Sequence, residues 1–295
     1  MKSDGPRRGA LLWVSAGACL WGTDTLFRAP LTARLSSASI VLMEHLILGV
    51  VLLPILWTGR GEWLKLRRKE WLAVVGIAWG GSALGTFLFT EAVHLGNPTT
   101  AILLQKAQPI FAALLSGVFL LEPLGMPFWS RLTIALGGAY LIQFGSSIPK
   151  AENISPAPLL ALGAAGLWGA STVLGRFLLL RTSFLTVTAL RIFVALPPLA
   201  ATVWIQHSRM PSTIDVPMVS GLLLLALIPG FAGLMLYYHG LSHSRASRAS
   251  VAELCFPATA VLLNWYFLDA RVSLFQAAGF LLLFGTILSW ETRKV

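Results

Sequence analysis

The sequence predicts an all-α polytopic membrane protein, with ten transmembrane helices in two inverted five-helix repeats. Three observations carry this prediction. The 295 residues are 56% hydrophobic and only 12% charged, with a mean hydropathy of +0.75; a soluble domain carries roughly twice that charge fraction. Apolar runs of about 20 residues recur along the chain, each long enough to cross a hydrocarbon core of roughly 30 Å. Finally, a polar passage inside one of these runs, Asn97-Pro98-Thr99-Thr100-Ala101-Ile102-Leu103-Leu104-Gln105-Lys106-Ala107-Gln108-Pro109, has an echo at 245–257. Sliding by 148 positions sets Pro109 on Pro257, Gln105 on Glu253 and Ala101 on Ala249.

In chain order the spans read Gly9–Phe27, Ala38–Trp57, Trp71–His94, Thr99–Leu121 and Trp129–Gly145, then Pro158–Leu180, Phe184–Ile205, Val216–Leu241, Ala249–Leu268 and Leu274–Trp290. The first follows Lys2, Arg7 and Arg8 and ends its opening half on Ala16-Gly17-Ala18-Cys19, which imitates a cleavable signal. The segment has a counterpart later in the chain, so it is read as an uncleaved helix. The connections are short and hold no inserted domain. The passage 148–157 is linker-like and divides the chain into a first repeat, 1–147, and a second, 158–295. With five spans each, the second half enters the membrane from the opposite side, so the repeats are inverted.

Basic residues set the orientation. With the N-terminus inside, the cytoplasmic side holds Lys2, Arg7, Arg8, Arg60, Lys65, Arg67, Arg68, Lys69, Arg131, Arg176, Arg181, Arg245, Arg248, Arg293 and Lys294. The other side holds only Arg28, Arg34, Lys150, Arg209 and Arg271. The positive-inside rule therefore predicts both termini in the cytoplasm, and the expected location is a bacterial inner membrane. The net charge of +10 is read as topology and lipid-headgroup contact, with no nucleic-acid partner.

The halves match beyond the central passage. Ala18-Cys19-Leu20-Trp21-Gly22 aligns with Ala165-Gly166-Leu167-Trp168-Gly169 at an offset of 147, and Leu121-Glu122 with Leu268-Asp269 at the same offset. Two five-helix repeats, a Trp-Gly pair in the first helix of each and an acidic residue closing each fourth helix resemble the drug/metabolite transporter superfamily. Within it the chain is similar to EamA-type ten-helix members over nearly its whole length. The resemblance implies export or exchange of small metabolites, amino acids and related compounds. The run Leu-Leu-Gln-Lys-Ala-Gln-Pro departs from the aromatic-amino-acid exporters of that group.

A charge at the bilayer centre costs about 2.5–3.5 kcal/mol on insertion scales, so intramembrane charges need partners or a water-filled cavity. Asp24, Glu44, Glu91 and Lys106 fall in the outer halves of the first four spans and are expected to face inward, with Lys106 beside Glu44 or Glu91. Arg191 and Glu253 fall in the inner portions of the seventh and ninth spans, where a mutual ion pair is the plain reading and ligand contact the functional one. His45, one residue off register with Arg191, reads as hydrogen-bonded core. Trp21 and Trp168 are a mid-span aromatic pair; packing explains them as well as substrate contact does. Gly76/Gly80 and Gly81/Gly85 have the spacing of close helix packing. Pro109 and Pro257 predict symmetric kinks. Cys19 and Cys255 read as inert apolar thiols, and no His/Cys/Asp/Glu spacing makes a metal site. The candidate substrate-binding set is therefore Trp21, Glu44, Glu91, Gln105, Lys106, Trp168, Arg191 and Glu253, with no cofactor.

These features suit a secondary transporter, with an exporter of a small polar or zwitterionic metabolite such as an amino acid as the first expectation. Its partners are a small-molecule substrate, membrane lipids and a coupling proton. A membrane-embedded lipid-modifying enzyme needs catalytic clusters in interfacial loops, and these loops are short and lack them. A channel needs a ring of like groups about one axis, and a lipid-carrier flippase helper contains one repeat where this chain has two. Topology is directly testable. An impermeant thiol reagent applied to intact cells should miss a cysteine placed at Glu62 and label one placed at Asn153; the opposite pattern reverses the orientation.

Overall fold

A computed structural model describes residues 8–95, 104–146, 156–208, 215–267 and 273–291. The described residues are 85% helical and contain no strand, as expected of an all-α membrane protein. In chain order, α1 spans Ala10–Thr32 with an interruption at Gly22 and Thr23, α2 is Ser37–Thr58 and α3 is the single turn Arg60–Trp63. Helix α4 covers residues 68–95, and α5 is Gln108–Phe119. Next come α6 (Met126–Phe144), α7 (Ala157–Leu179) and α8 (Phe184–Ile205). Helix α9 is Val216–Ser242, α10 is Ala246–Leu263 with its last turn running on to 267, and α11 is Leu274–Glu291.

Eight of these, α1, α2, α4 and α7 to α11, are long and apolar enough to cross a membrane. The sequence predicts ten spans. The two that fall short are α5, a shorter apolar helix whose expected beginning at Thr99 lies outside the described residues, and the 19-residue α6, which carries Arg131, Ser130 and Gln143. Most of the linker and Asp269 also lie outside the described residues.

Local signals account for the boundaries. Ser36 and Ser183 stand just before α2 and α8, and each side-chain oxygen accepts a bond from the N–H three residues on, at 3.1 and 3.3 Å. Such caps satisfy donors that the first helical turn leaves free. Asp215 caps α9 in the same way, through Met218 N–H at 3.1 Å. Its carboxylate also accepts from Arg34 at 2.6 Å, which holds its pKa below the usual carboxylate value and ties the end of α1 to the start of α9. Two helices widen to π geometry, α4 over Gly76–Gly85 and α9 over Ala226–Gly233. Both stretches are glycine-rich, and Pro229 contributes no N–H; such widened turns concentrate at functional sites.

Glycines let the helices approach to backbone contact. A Cβ placed on Gly22 of α1 would lie 2.5 Å from Phe256 O and 2.6 Å from Thr259 Cβ in α10. One on Gly169 of α7 would lie 2.9 Å from Ala112 N and 3.0 Å from Gln108 O and Phe111 Cβ in α5. Helices α6 and α11 cross at Gly138 and Gly279, where either Cβ would meet the other glycine's carbonyl within 3 Å. The four small positions of α4 lie along α7, facing Leu167, Trp168, Ser171 and Leu174, so the expected close packing is what they do. In contrast, Gly137 has open space around it. Gly169→Val should lower the thermal stability of the purified protein by an amount corresponding to about 1–3 kcal/mol, the usual cost of forcing atoms into a packed interior. Gly137→Ala should leave the melting temperature unchanged; equal effects from the two would refute the close crossing.

Candidate functional site

Two helices break at matching places, and the polar residues lie in the breaks. Leu104 and Gln105 are helical, Lys106 and Ala107 form a turn, and α5 restarts at Gln108 with Pro109 in its first turn. In α10 the helix Ala246–Ala252 gives way to a 3₁₀ turn, Glu253–Cys255, and restarts at Phe256 with Pro257 second. A proline is tolerated in a first turn because the N–H it lacks has no helical acceptor there. The predicted kinks are thus interruptions, and the prolines stand where each helix resumes.

Glu253 gathers four helices. One oxygen accepts from Gln108 Nε2 of α5 at 2.5 Å; the other accepts from Thr172 Oγ1 of α7 at 3.1 Å and Tyr237 Oη of α9 at 3.0 Å. Neutral donors therefore satisfy the carboxylate, and the expected Arg191–Glu253 pair is replaced by two separate sets. Arg191 donates to Ser82 Oγ at 3.0 Å and Tyr238 Oη at 3.1 Å. The sets adjoin through Tyr237 and Tyr238, whose rings are 5.1 Å apart.

Aromatic rings wall this centre. Trp21 tilts against Tyr237, with centroids 4.9 Å apart, and Trp168 against Phe89 at 5.5 Å. Trp168 Nε1 donates to Gly81 O at 2.9 Å, so the widened part of α4 holds the indole by its backbone. Trp21 and Trp168 both adjoin the centre, as their mid-span positions suggest. His45 is buried, with Nδ1 2.9 Å from Val41 O, the core histidine the sequence implies.

Lys106 departs from expectation. It is 7% exposed, its Nζ has no hydrogen-bond partner among the described residues, and the ammonium rests 3.5 Å from the centroid of the Phe256 ring. Its expected partner Glu44 is taken by Arg28, whose Nη2 reaches Glu44 Oε2 at 3.0 Å and Asp24 Oδ2 at 2.6 Å. Arg28 wins because Asp24 lies one turn before it on α1 and orients the guanidinium toward α2. Glu91 is partly buried and forms no ion pair among the described residues. Gln105 stays outside the Glu253 network, where Gln108 takes its place. Glu122, an acidic marker of the repeat, accepts from Ala246 N, Ser247 N and Ser247 Oγ and so caps the start of α10. No cluster of three metal-ligating side chains exists among the described residues.

Residues 8–144 and 155–289 each match the model of the EamA-like transporter family, together most of the chain. The chain belongs to the EamA-like transporter family. It is 32% identical to the riboflavin transporter ImpX of Fusobacterium nucleatum over 295 residues, covering 95% of this chain and 96% of that protein. A riboflavin transporter of Vibrio cholerae is 28% identical over 222 residues, which is 68% of this chain and 70% of that one. A crystal structure of a protein 20% identical in sequence superposes with a TM-score of 0.77 over 95% of this chain and 96% of its own, a likeness of fold alone. This EamA-like protein is a membrane transporter.

Four participants escape a reading of the sequence: Gln108, Thr172, Tyr237 and Arg28. Thr172 lies one turn past Trp168, and Gln108 stands three residues past Gln105 across the break. Removing the carboxylate at the hub takes an acceptor from three donors and leaves Gln108 Nε2 without its partner, at about 1–3 kcal/mol for a buried group left unpaired, while Thr172 and Tyr237 keep the 2.9 Å bond between their hydroxyls. Glu253→Leu should therefore lower the melting temperature by several degrees while Gln105→Leu leaves it unchanged. The reverse order would place the hub at Gln105.

Proposed function

We propose that this transporter moves a small planar polar solute of the flavin class, riboflavin being the first candidate, by alternating access. In this reading ten helices form two inverted repeats, 1–147 and 158–295, in an inner membrane with both termini cytoplasmic. Inverted repeats with paired broken helices characteristically hold substrate near the midplane between the halves. The two family matches and the reciprocal contacts support the repeat: Gly22 meets α10 as Gly169 meets α5, and Trp21 meets Tyr237 as Trp168 meets Phe89.

The observation that carries the substrate class is the buried Lys106, without a hydrogen-bond partner among the described residues and seated on Phe256, three residues past the Glu253 that Gln108 bonds, together with the Trp21–Tyr237 and Trp168–Phe89 ring pairs. A flavin presents a flat tricycle, a dione edge of alternating acceptors and an N–H donor, and a chain of hydroxyls. Ring faces at Trp21 and Trp168 suit the tricycle. Lys106 suits a carbonyl, the Glu253–Gln108 pair suits the N–H and neighbouring carbonyl, and Arg191 with Ser82 and Tyr238 suits hydroxyls. The two relatives named as riboflavin transporters support the same class.

The second reading is export of a zwitterion such as an amino acid. It is favoured by the opposite charges of Lys106 and Glu253, which suit a carboxylate and an ammonium. In both readings Glu253 is the carboxylate available to carry a coupling proton. In the outer-half cluster, Glu44 with Asp24 and Arg28 is scaffold or gate, and Glu91 is peripheral.

Purified protein in proteoliposomes, assayed with riboflavin and an amino-acid panel with and without a pH gradient, separates these readings. We expect saturable riboflavin movement that falls at least tenfold in Lys106→Met and Trp168→Ala while protein yield is kept. Movement of an amino acid without riboflavin selects the second reading. Wild-type rates in Lys106→Met would remove the lysine from the site.

A further inference from the structure

We propose that the groove between α6 and α11 is a binding site for one anionic phospholipid of the surrounding bilayer. The groove is about 430 Å³ and is lined by Arg131 and Ile134 of α6 and by Leu281, Leu282, Gly285, Thr286 and Ser289 of α11. It lies away from the polar centre and opens on the outer face of the helices, where Ile134, Leu281 and Leu282 are exposed. Its polarity is graded along its length. Arg131 and Ser289 stand at one end, joined by a 3.1 Å bond from Nε to Oγ, and the remainder is apolar apart from Thr286, whose hydroxyl donates to Leu282 O at 2.7 Å. From Ser289 to Leu281 the helix rises about 12 Å at 1.5 Å per residue, enough for a good part of an acyl chain.

The charged end is built to hold an anion. Trp290 is 6% exposed and packs on Phe128 at 6.0 Å. The guanidinium carbons of Arg131 and Arg248 lie 5.7 and 5.8 Å from its ring centroid, so the indole draws both arginines to one place. Arg245 is also within electrostatic range of Arg248, as are Glu122 and Glu291. Both carboxylates are turned to backbone donors: Glu291 accepts from Gly9 N and Leu11 N, and Glu122 from Ala246 N and Ser247 N. Basic groups of this kind between membrane helices recognise the phosphate of anionic lipids. Charge at one end and apolar lining beyond it match an acidic headgroup with its chain.

Gly285 makes the groove and supplies a clean test. A Cβ there meets nothing within 4 Å, so a side chain begun at Gly285 enters the groove, and the melting temperature of Gly285→Leu reports whether the packing is kept. The experiment is native mass spectrometry of the detergent-purified transporter titrated with phosphatidylglycerol or phosphatidylcholine, with the melting temperature as a control for folding. The wild type should retain one phosphatidylglycerol at least fivefold more than phosphatidylcholine. Arg131→Gln should abolish that preference, and Gly285→Leu should lose bound lipid at an unchanged melting temperature. Equal retention of both lipids by the wild type, or undiminished retention in Gly285→Leu, overturns the proposal. So does a wild-type dimer that Gly285→Leu dissociates, since a second copy of the chain would then occupy the groove.

Discussion

A helix broken within a membrane leaves backbone and side-chain polar groups that lipid cannot satisfy, and this constraint organises the molecule. Both breaks, at Lys106–Ala107 and Glu253–Cys255, are turned away from lipid. That is possible only because the first helix of the opposite half lies flat against each restarted segment. Gly22 and Gly169 supply the contact: a side chain at either position would collide with the backbone or Cβ atoms of the facing helix. The tryptophan preceding each glycine then fits against the widened part of another helix, Trp168 against Gly81 and Gly85, Trp21 against Gly233. Backbone proximity and aromatic enclosure are thus one arrangement produced by a two-residue Trp-Gly unit.

The helical class was legible in the sequence because hydropathy and length are properties of single segments. Repetition at a fixed offset likewise marked Trp21 and Trp168 as equivalent positions, leaving packing and substrate contact equally open. The charge partners were not legible. Lys106 was expected beside Glu44 or Glu91, yet Arg28, held by Asp24 one turn away, reaches Glu44, and Glu91 forms no ion pair among the described residues. Which of two cations wins a carboxylate depends on how adjacent helices are rotated, and a list of residues by depth does not contain that rotation.

The same limit explains Gln105 and Gln108. Alignment of the halves equates Gln105 with Glu253, but equivalence in a repeat does not imply contact. The residue that actually bonds Glu253 is Gln108, three positions later and on the far side of the break. An interruption resets the phase of a helix, so residues before and after it no longer share the face that the 3.6-residue period assigns.

The scaffold is repeated, but the chemistry set into it is not. Lys106 stands opposite Leu254 and Glu253 opposite Gln105, so each half contributes a charge that its counterpart lacks. For a carrier this division has a physical advantage. The proposed alternating access needs two states of similar energy, and the close packing at both Gly22 and Gly169 gives the two breaks comparable backbone contacts. Recognition needs the opposite, since a ligand with unlike ends cannot be matched by two identical half-sites. Unequal side chains in equivalent breaks reconcile these needs. The glycine crossings keep the two halves alike, while the lone ammonium over Phe256 and the carboxylate held by Gln108, Thr172 and Tyr237 give the centre a direction. Lys106 and Glu253 thus sit where backbone continuity is already lost, whereas Arg28 with Glu44 and Arg191 with Tyr238 join intact helices.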